Sequence, residues 1–164
     1  MPSFSAYDFS PYGIAVLAVH LGLAGIGIRL LAIDARTHRL PNRIVLPTLA
    51  AALALVGLDA LVTQRTGALI GALAGMLILG GFYAGLRAMS RGGIGGGDVK
   101  LSALIGLVLG WHGWQVLVIG AASAFVFGAL YALVLMALQR ADRSTRIAFG
   151  PWMIMGAVLG IAIG

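Results

Sequence analysis

Residues 101–139 read LSALIGLVLGWHGWQVLVIGAASAFVFGALYALVLMALQ, 39 consecutive positions without a charged side chain. A bilayer-spanning helix needs about 20 predominantly apolar residues, so this run is too long for one span and right for two. The break falls at Trp111-His112-Gly113-Trp114, because tryptophan favours the membrane–water interface. Working outward, residues 9–28 are charge-free and predict a first helix from about Tyr12 to Ile33. Further charge-free stretches predict helices over about Ile44–Val62 and Gly67–Leu86, and a last one over about Ile147–Ile163. The expected fold is all-α: a polytopic membrane protein built as a six-transmembrane-helix bundle.

Composition agrees. Of 164 residues 60% are apolar and only 10% charged, against about 25% charged in a soluble domain. The length predicts one domain spanning 1–164. Cysteine and glutamate are both absent, which excludes disulfides, thiolate nucleophiles, Cys-ligated zinc and a His-Glu-x-x-His metalloprotease. The N-terminus has no positive n-region, so it does not read as a cleavable signal peptide. The net charge of +6 is explained by placement. The loops at 34–43, 87–100 and 139–146 hold Arg36, Arg39, Arg43, Arg87, Arg91, Lys100, Arg140, Arg143 and Arg146, whereas the alternate loops hold Arg65 alone. By the positive-inside rule the first, third and fifth loops are cytoplasmic and both termini lie on the outer, periplasmic side. No nucleic-acid partner is needed to account for the basicity.

Glycines recur at four-residue spacing at 67, 71 and 75, at 81 and 85, at 106 and 110, and at 156, 160 and 164. Such ridges let helices approach closely in lipid.

The acidic residues are five aspartates. Asp8 lies in the outer tail and Asp142 in a basic loop. Asp59, 15 residues into the second helix, belongs near the outer face, within reach of Arg65. Asp34 and Asp98 differ. Asp34 ends the first helix shortly before Pro41, and Asp98 follows Gly92-Gly93-Ile94-Gly95-Gly96-Gly97 and opens the fourth helix as its N-cap. The glycines free the backbone from ordinary φ/ψ limits. Both aspartates fall on the cytoplasmic side, and an ionisable residue beside a span is a functional candidate by default. Two carboxyls in a partly dry site do not both ionise, which is the apparatus of an aspartic protease. A proton-coupled transporter would want the same residues.

Other schemes fit poorly. There is no Gly-x-Ser-x-Gly nucleophile site, and the glycine loop lacks the Gly-Lys-Ser/Thr of a P-loop. His20, His38 and His112 are scattered: mid-helix, cytoplasmic loop and outer turn. Lys100 and Ser102, two apart, point to different helix faces.

Gly95-Gly96-Gly97-Asp98 matches the Gly-x-Gly-Asp motif of intramembrane aspartic proteases, and Lys100-Leu101 extend it in the manner of type IV prepilin peptidases. Asp34 followed by Leu40-Pro41-Asn42 resembles that family's first motif, and Ala148-Phe149-Gly150-Pro151-Trp152 resembles its Pro-Phe-Gly-Pro-Phe segment. The short chain is similar to the prepilin peptidases of tight-adherence (Flp) pilus systems. The resemblance implies Asp34 and Asp98 as the catalytic pair, with Gly95, Gly96, Gly97, Lys100, Pro41, Asn42, Gly150 and Pro151 shaping the site. It implies an endopeptidase of the bacterial inner membrane, cutting the basic leader from a type IV (Flp-like) prepilin at the cytoplasmic face without metal or cofactor. Membrane lipid is the other expected partner, met by the cytoplasmic arginines. Larger members carry an N-terminal Cys-x-x-Cys region linked to N-methylation; nothing here corresponds to it, so no methyltransferase domain is expected. Ala148 and Trp152 depart mildly from the family pattern. The alternatives are a proton-coupled small transporter and a non-catalytic assembly subunit of a pilus or secretion machine.

Overall fold

The structure, a computed structural model, describes residues 11–37, 40–90, 95–138 and 149–164. These form six helices in chain order: α1 (Pro11–Thr37), α2 (Asn42–Thr63), α3 (Thr66–Met89), α4 (Gly96–His112), α5 (Trp114–Ala137) and α6 (Gly150–Ile163). The break inside the long apolar run falls at Gly113, whose φ of 124° is a conformation that glycine adopts without a Cβ penalty.

Three boundaries differ from expectation by three or four residues, and the third helix accounts for one of them, running past Leu86 to Met89. The first helix does not stop at Ile33 but runs on through Asp34 to Thr37, so Asp34 projects from a helical turn. The last helix begins at Gly150, with Pro151 in its first turn and Phe149 as its cap, rather than at Ile147. A proline at the start of a helix forfeits no internal hydrogen bond, because its missing N–H would be unpartnered there.

Among the described residues three helices, α2, α3 and α5, are long and apolar enough to cross a membrane. Their outward faces carry Leu55, Leu58, Leu61, Ile70, Leu77, Ile78, Leu130 and Leu133 exposed. An apolar surface of that extent suits lipid rather than water. The helix α4 is different. It is only 17 residues long, and Leu101, Ser102, Leu104, Ile105, Gly106, Leu107, Leu109 and Gly110 are all buried. It is the central strut, packed by α2, α3, α5 and α6.

Glycines set the tightest crossings. Gly71 and Gly75 of α3 lie against Gly110 and Gly106 of α4, where any side chain would strike the partner's backbone carbonyl. Gly120 of α5 meets Gly156 and Gly160 of α6 in the same way. Close backbone approach of this kind supplies the van der Waals contact that holds helices together in lipid. Gly67, Gly81 and Gly85, predicted to share this role, have open space around them instead. The helix α1 is the least embedded: among the described helices its backbone comes close to α6 alone, with Gly27 facing Ile154.

Candidate active site

The C-terminal end of α1, the start of α4 and the start of α6 meet at one end of the bundle, and the motif residues gather there. Asp34, in the last turns of α1, is 3% exposed. Its carboxylate lies directly on the backbone of Gly150, so that a side chain at 150 would occupy the same space. Leu101 of α4 closes the position from below.

Asp98 is the third residue of α4, not its N-cap. The cap is Gly95, and the Asp98 carboxylate accepts the Gly95 N–H at 3.3 Å. Reaching back in this way satisfies one of the amides left open at a helix start. Asp98 lies close enough to both Asp34 and Arg87 to feel their charges. Two carboxyls from helices far apart in sequence therefore share one electrostatic site.

The described glycines serve space rather than backbone freedom, which corrects the expectation drawn from their number. Gly95 is extended at φ −66° and ψ 143°, open to any residue, and Gly96 and Gly97 are helical. Of the three, Gly97 is the one with no room for a side chain. Gly97 lies against Leu40, and Gly96 lies under the Arg87 guanidinium. Gly92, Gly93 and Ile94 lie outside the described residues, as do Asp8, His38, Asp142, Ala148 and the arginines at 39, 91, 140, 143 and 146.

Pro41 caps α2, its carbonyl accepting the amides of Ile44 and Val45 at 3.0 and 3.2 Å. Asn42 opens that helix, and its Oδ1 accepts a hydrogen bond from Lys100 Nζ at 2.7 Å. Lys100 thus binds the segment that follows Asp34 to the helix that carries Asp98. Ser102, fully buried, donates instead to the Val99 carbonyl at 2.7 Å. An open cleft of about 460 Å³ lined by Arg87, Gly96, Val99 and Lys100 lies beside this clasp.

One site residue gave no sign in the sequence. Tyr83 of α3 is buried and within electrostatic reach of Asp98. It stacks on Phe125 (5.8 Å, 21°) and lies 5.9 Å from Phe149. These rings form an aromatic wall beside the aspartates, and Gly128 leaves room for Phe149. A tyrosine in an apolar helix reads as ordinary core; only its neighbours distinguish it. Among the described residues no group of three or more metal-ligating side chains is assembled.

The profile of the type IV leader peptidase family matches residues 21–133. The chain is 36% identical over 152 residues to a prepilin leader peptidase/N-methyltransferase of Dickeya chrysanthemi, covering 92% of this chain and 52% of that protein. The like-named protein of Escherichia coli K12 is 36% identical over 135 residues, covering 82% and 58%. That of Bacillus subtilis 168 is 38% identical over 130 residues, covering 76% and 47%. The chain spans about half the length of the curated relatives it matches. No solved structure matches it.

Proposed function

This chain belongs to the type IV leader peptidase family, and on that premise we propose that it is a membrane-embedded aspartic endopeptidase that removes the leader peptide from type IV, Flp-like prepilins. The observation that carries this reading is the convergence of Asp34 and Asp98 at one buried end of the bundle. A carboxyl pair at close range holds one proton between its members more readily than none. The ionised member takes a proton from water as the water oxygen attacks the scissile carbonyl carbon. The protonated member donates to the carbonyl oxygen. Collapse of the tetrahedral intermediate breaks the C–N bond, and the departing amine takes up a proton from the pair.

The roles of the surrounding residues follow from their contacts. Gly150 and Pro151 set the start of α6 against Asp34, and Gly95, Gly96 and Gly97 leave room for the packing around Asp98. Pro41, Asn42 and Lys100 fix the two aspartate-bearing segments relative to each other.

In the same reading all six helices cross the bacterial inner membrane as one peptidase domain. The short α4 does so inside the shell made by the other helices. The aspartates face the cytoplasm and both termini face out, in keeping with the nine-to-one distribution of basic residues between alternate loops. The pilin's apolar helix lies beside the bundle with its basic leader in the cytoplasm. The cytoplasmic arginines meet anionic lipid headgroups rather than the leader, whose like charge they would repel. Co-expression with type IV precursor pilins, read by the mass of the pilin N-terminus, tests the activity. A pilin shortened by its leader supports it, and precursors left intact throughout overturn it.

A further inference from the structure

At the end of the bundle opposite the aspartates, two histidines that the sequence leaves unrelated come together. His20 of α1 and His112 of α4 face each other with Nε2 atoms 3.3 Å apart. Their ring centres are 5.4 Å apart. The centres are thus farther apart than the nitrogens, so both nitrogens lie between the rings. The other nitrogen of His112 is anchored: Nδ1 lies 2.8 Å from the Val108 carbonyl. The carbonyl accepts a hydrogen bond from Nδ1–H, which leaves the lone pair of Nε2 facing outward, the arrangement usual behind a metal-ligating histidine.

The spacing is informative. Two imidazole nitrogens bound to one tetrahedral metal at about 2.0–2.1 Å each are held about 3.3–3.4 Å apart. The observed separation matches this. It is long for a hydrogen bond from an N–H donor, which is commonly about 2.7–3.2 Å.

The pair also occupies a defined place in the architecture. On α1 the histidine precedes the aspartate by 14 residues, and on α4 it follows the aspartate by 14. Fourteen residues are nearly four turns, about 21 Å, and return to nearly the same helix face. The two helices that carry the aspartates at one end therefore carry the histidines at the other. Between them lies a cavity of about 250 Å³, lined among others by His20, Leu30, Leu104 and Val108. Because the α1 backbone comes close to α6 alone among the described helices, the histidines reach across a gap that backbone packing leaves open.

We propose that His20 and His112 form a binding site for a borderline divalent transition metal such as Cu²⁺ or Zn²⁺, which clamps α1 to α4. Solvent completes the coordination. The Arg65 guanidinium, stacked 5.1 Å from the centre of the Trp111 ring, brings its positive charge within reach of His112 and opposes the cation. Removing that charge tightens the site. The proposal stands whether or not the aspartates cleave peptides.

The test uses the full chain, purified through a tag without histidine and held in phosphatidylcholine nanodiscs. Cu²⁺ and Zn²⁺ are titrated while tryptophan fluorescence, with Trp111 and Trp114 flanking His112, and thermal melting are followed. One saturable equivalent is expected, with Cu²⁺ tighter than Zn²⁺ and a rise in melting temperature on binding. His20→Ala or His112→Ala weakens binding at least about tenfold and removes the melting shift, while His38→Ala changes neither. Arg65→Gln strengthens binding and gives a readout if an alanine variant fails to fold. Absence of saturable binding, binding that survives both histidine substitutions, or loss of binding in His38→Ala would each overturn the proposal.

Discussion

Asp34 and Asp98 are legible in the sequence because a carboxylate beside a span is costly and side assignment puts both at the same face. Their surroundings were less legible. Lys100 donates to Asn42, a pairing that needs α4 to sit on the start of α2. Tyr83 was invisible for the reason that any aromatic in an apolar helix is. Two predictions belong here. A hydrogen bond to a charged group is worth about 1.5 kcal/mol at the low end, or roughly tenfold in rate where it positions the reacting groups. Lys100→Met should therefore slow leader cleavage about tenfold, whereas Asn42→Asp, which keeps an acceptor for the ammonium, should retain most of it; equal loss in both would refute the clasp. Gly150→Ala forces a methyl into the space of the Asp34 carboxylate. It should abolish cleavage while leaving the folded fraction in detergent largely intact, and wild-type cleavage by this variant would show that α6 does not seat Asp34.

At the scale of elements, charge-free length located all six helices but not all of their ends: α1, α3 and α6 each depart by three or four residues. The α1 helix carries Asp34 and Arg36 in its last turns, which under the proposed topology is the membrane interface. Pro151 holds the α6 start at Gly150. The four-residue glycine spacing gave the ridges but could not say which were paired, since that depends on which helices become neighbours. The contact of Gly75 with Gly106 is the tightest joint between α3 and α4. Gly106→Leu should drive these helices apart at a cost of about 1–3 kcal/mol or more and lower the melting temperature in detergent. Gly81→Leu, which enters open space, should leave it nearly unchanged. Similar melting of the two variants would mean the ridge is not a packing joint.

For the whole molecule, the positive-inside asymmetry predicts a topology. Natural absence of cysteine makes it directly testable. Ser90→Cys, at the end of α3 near the aspartates, should react with a membrane-impermeant maleimide only after the inner membrane is breached. Gln64→Cys, at the end of α2 at the opposite face, should react in intact spheroplasts. The reverse pattern would invert the proposed orientation. The family too is legible, since three short motifs in order point to it. The meeting of His20 and His112 was not, because nothing local relates positions 92 apart until the helices are packed.

The central claim is that two aspartates on two helices act as one peptidase site. Its most direct measurement is mass spectrometry of a precursor pilin co-expressed with wild type, Asp34→Asn, Asp98→Asn or Asp59→Asn, with each variant's membrane level matched. Leader removal is expected from wild type and Asp59→Asn, and none from either of the other two. Cleavage that persists in Asp34→Asn or Asp98→Asn would contradict it.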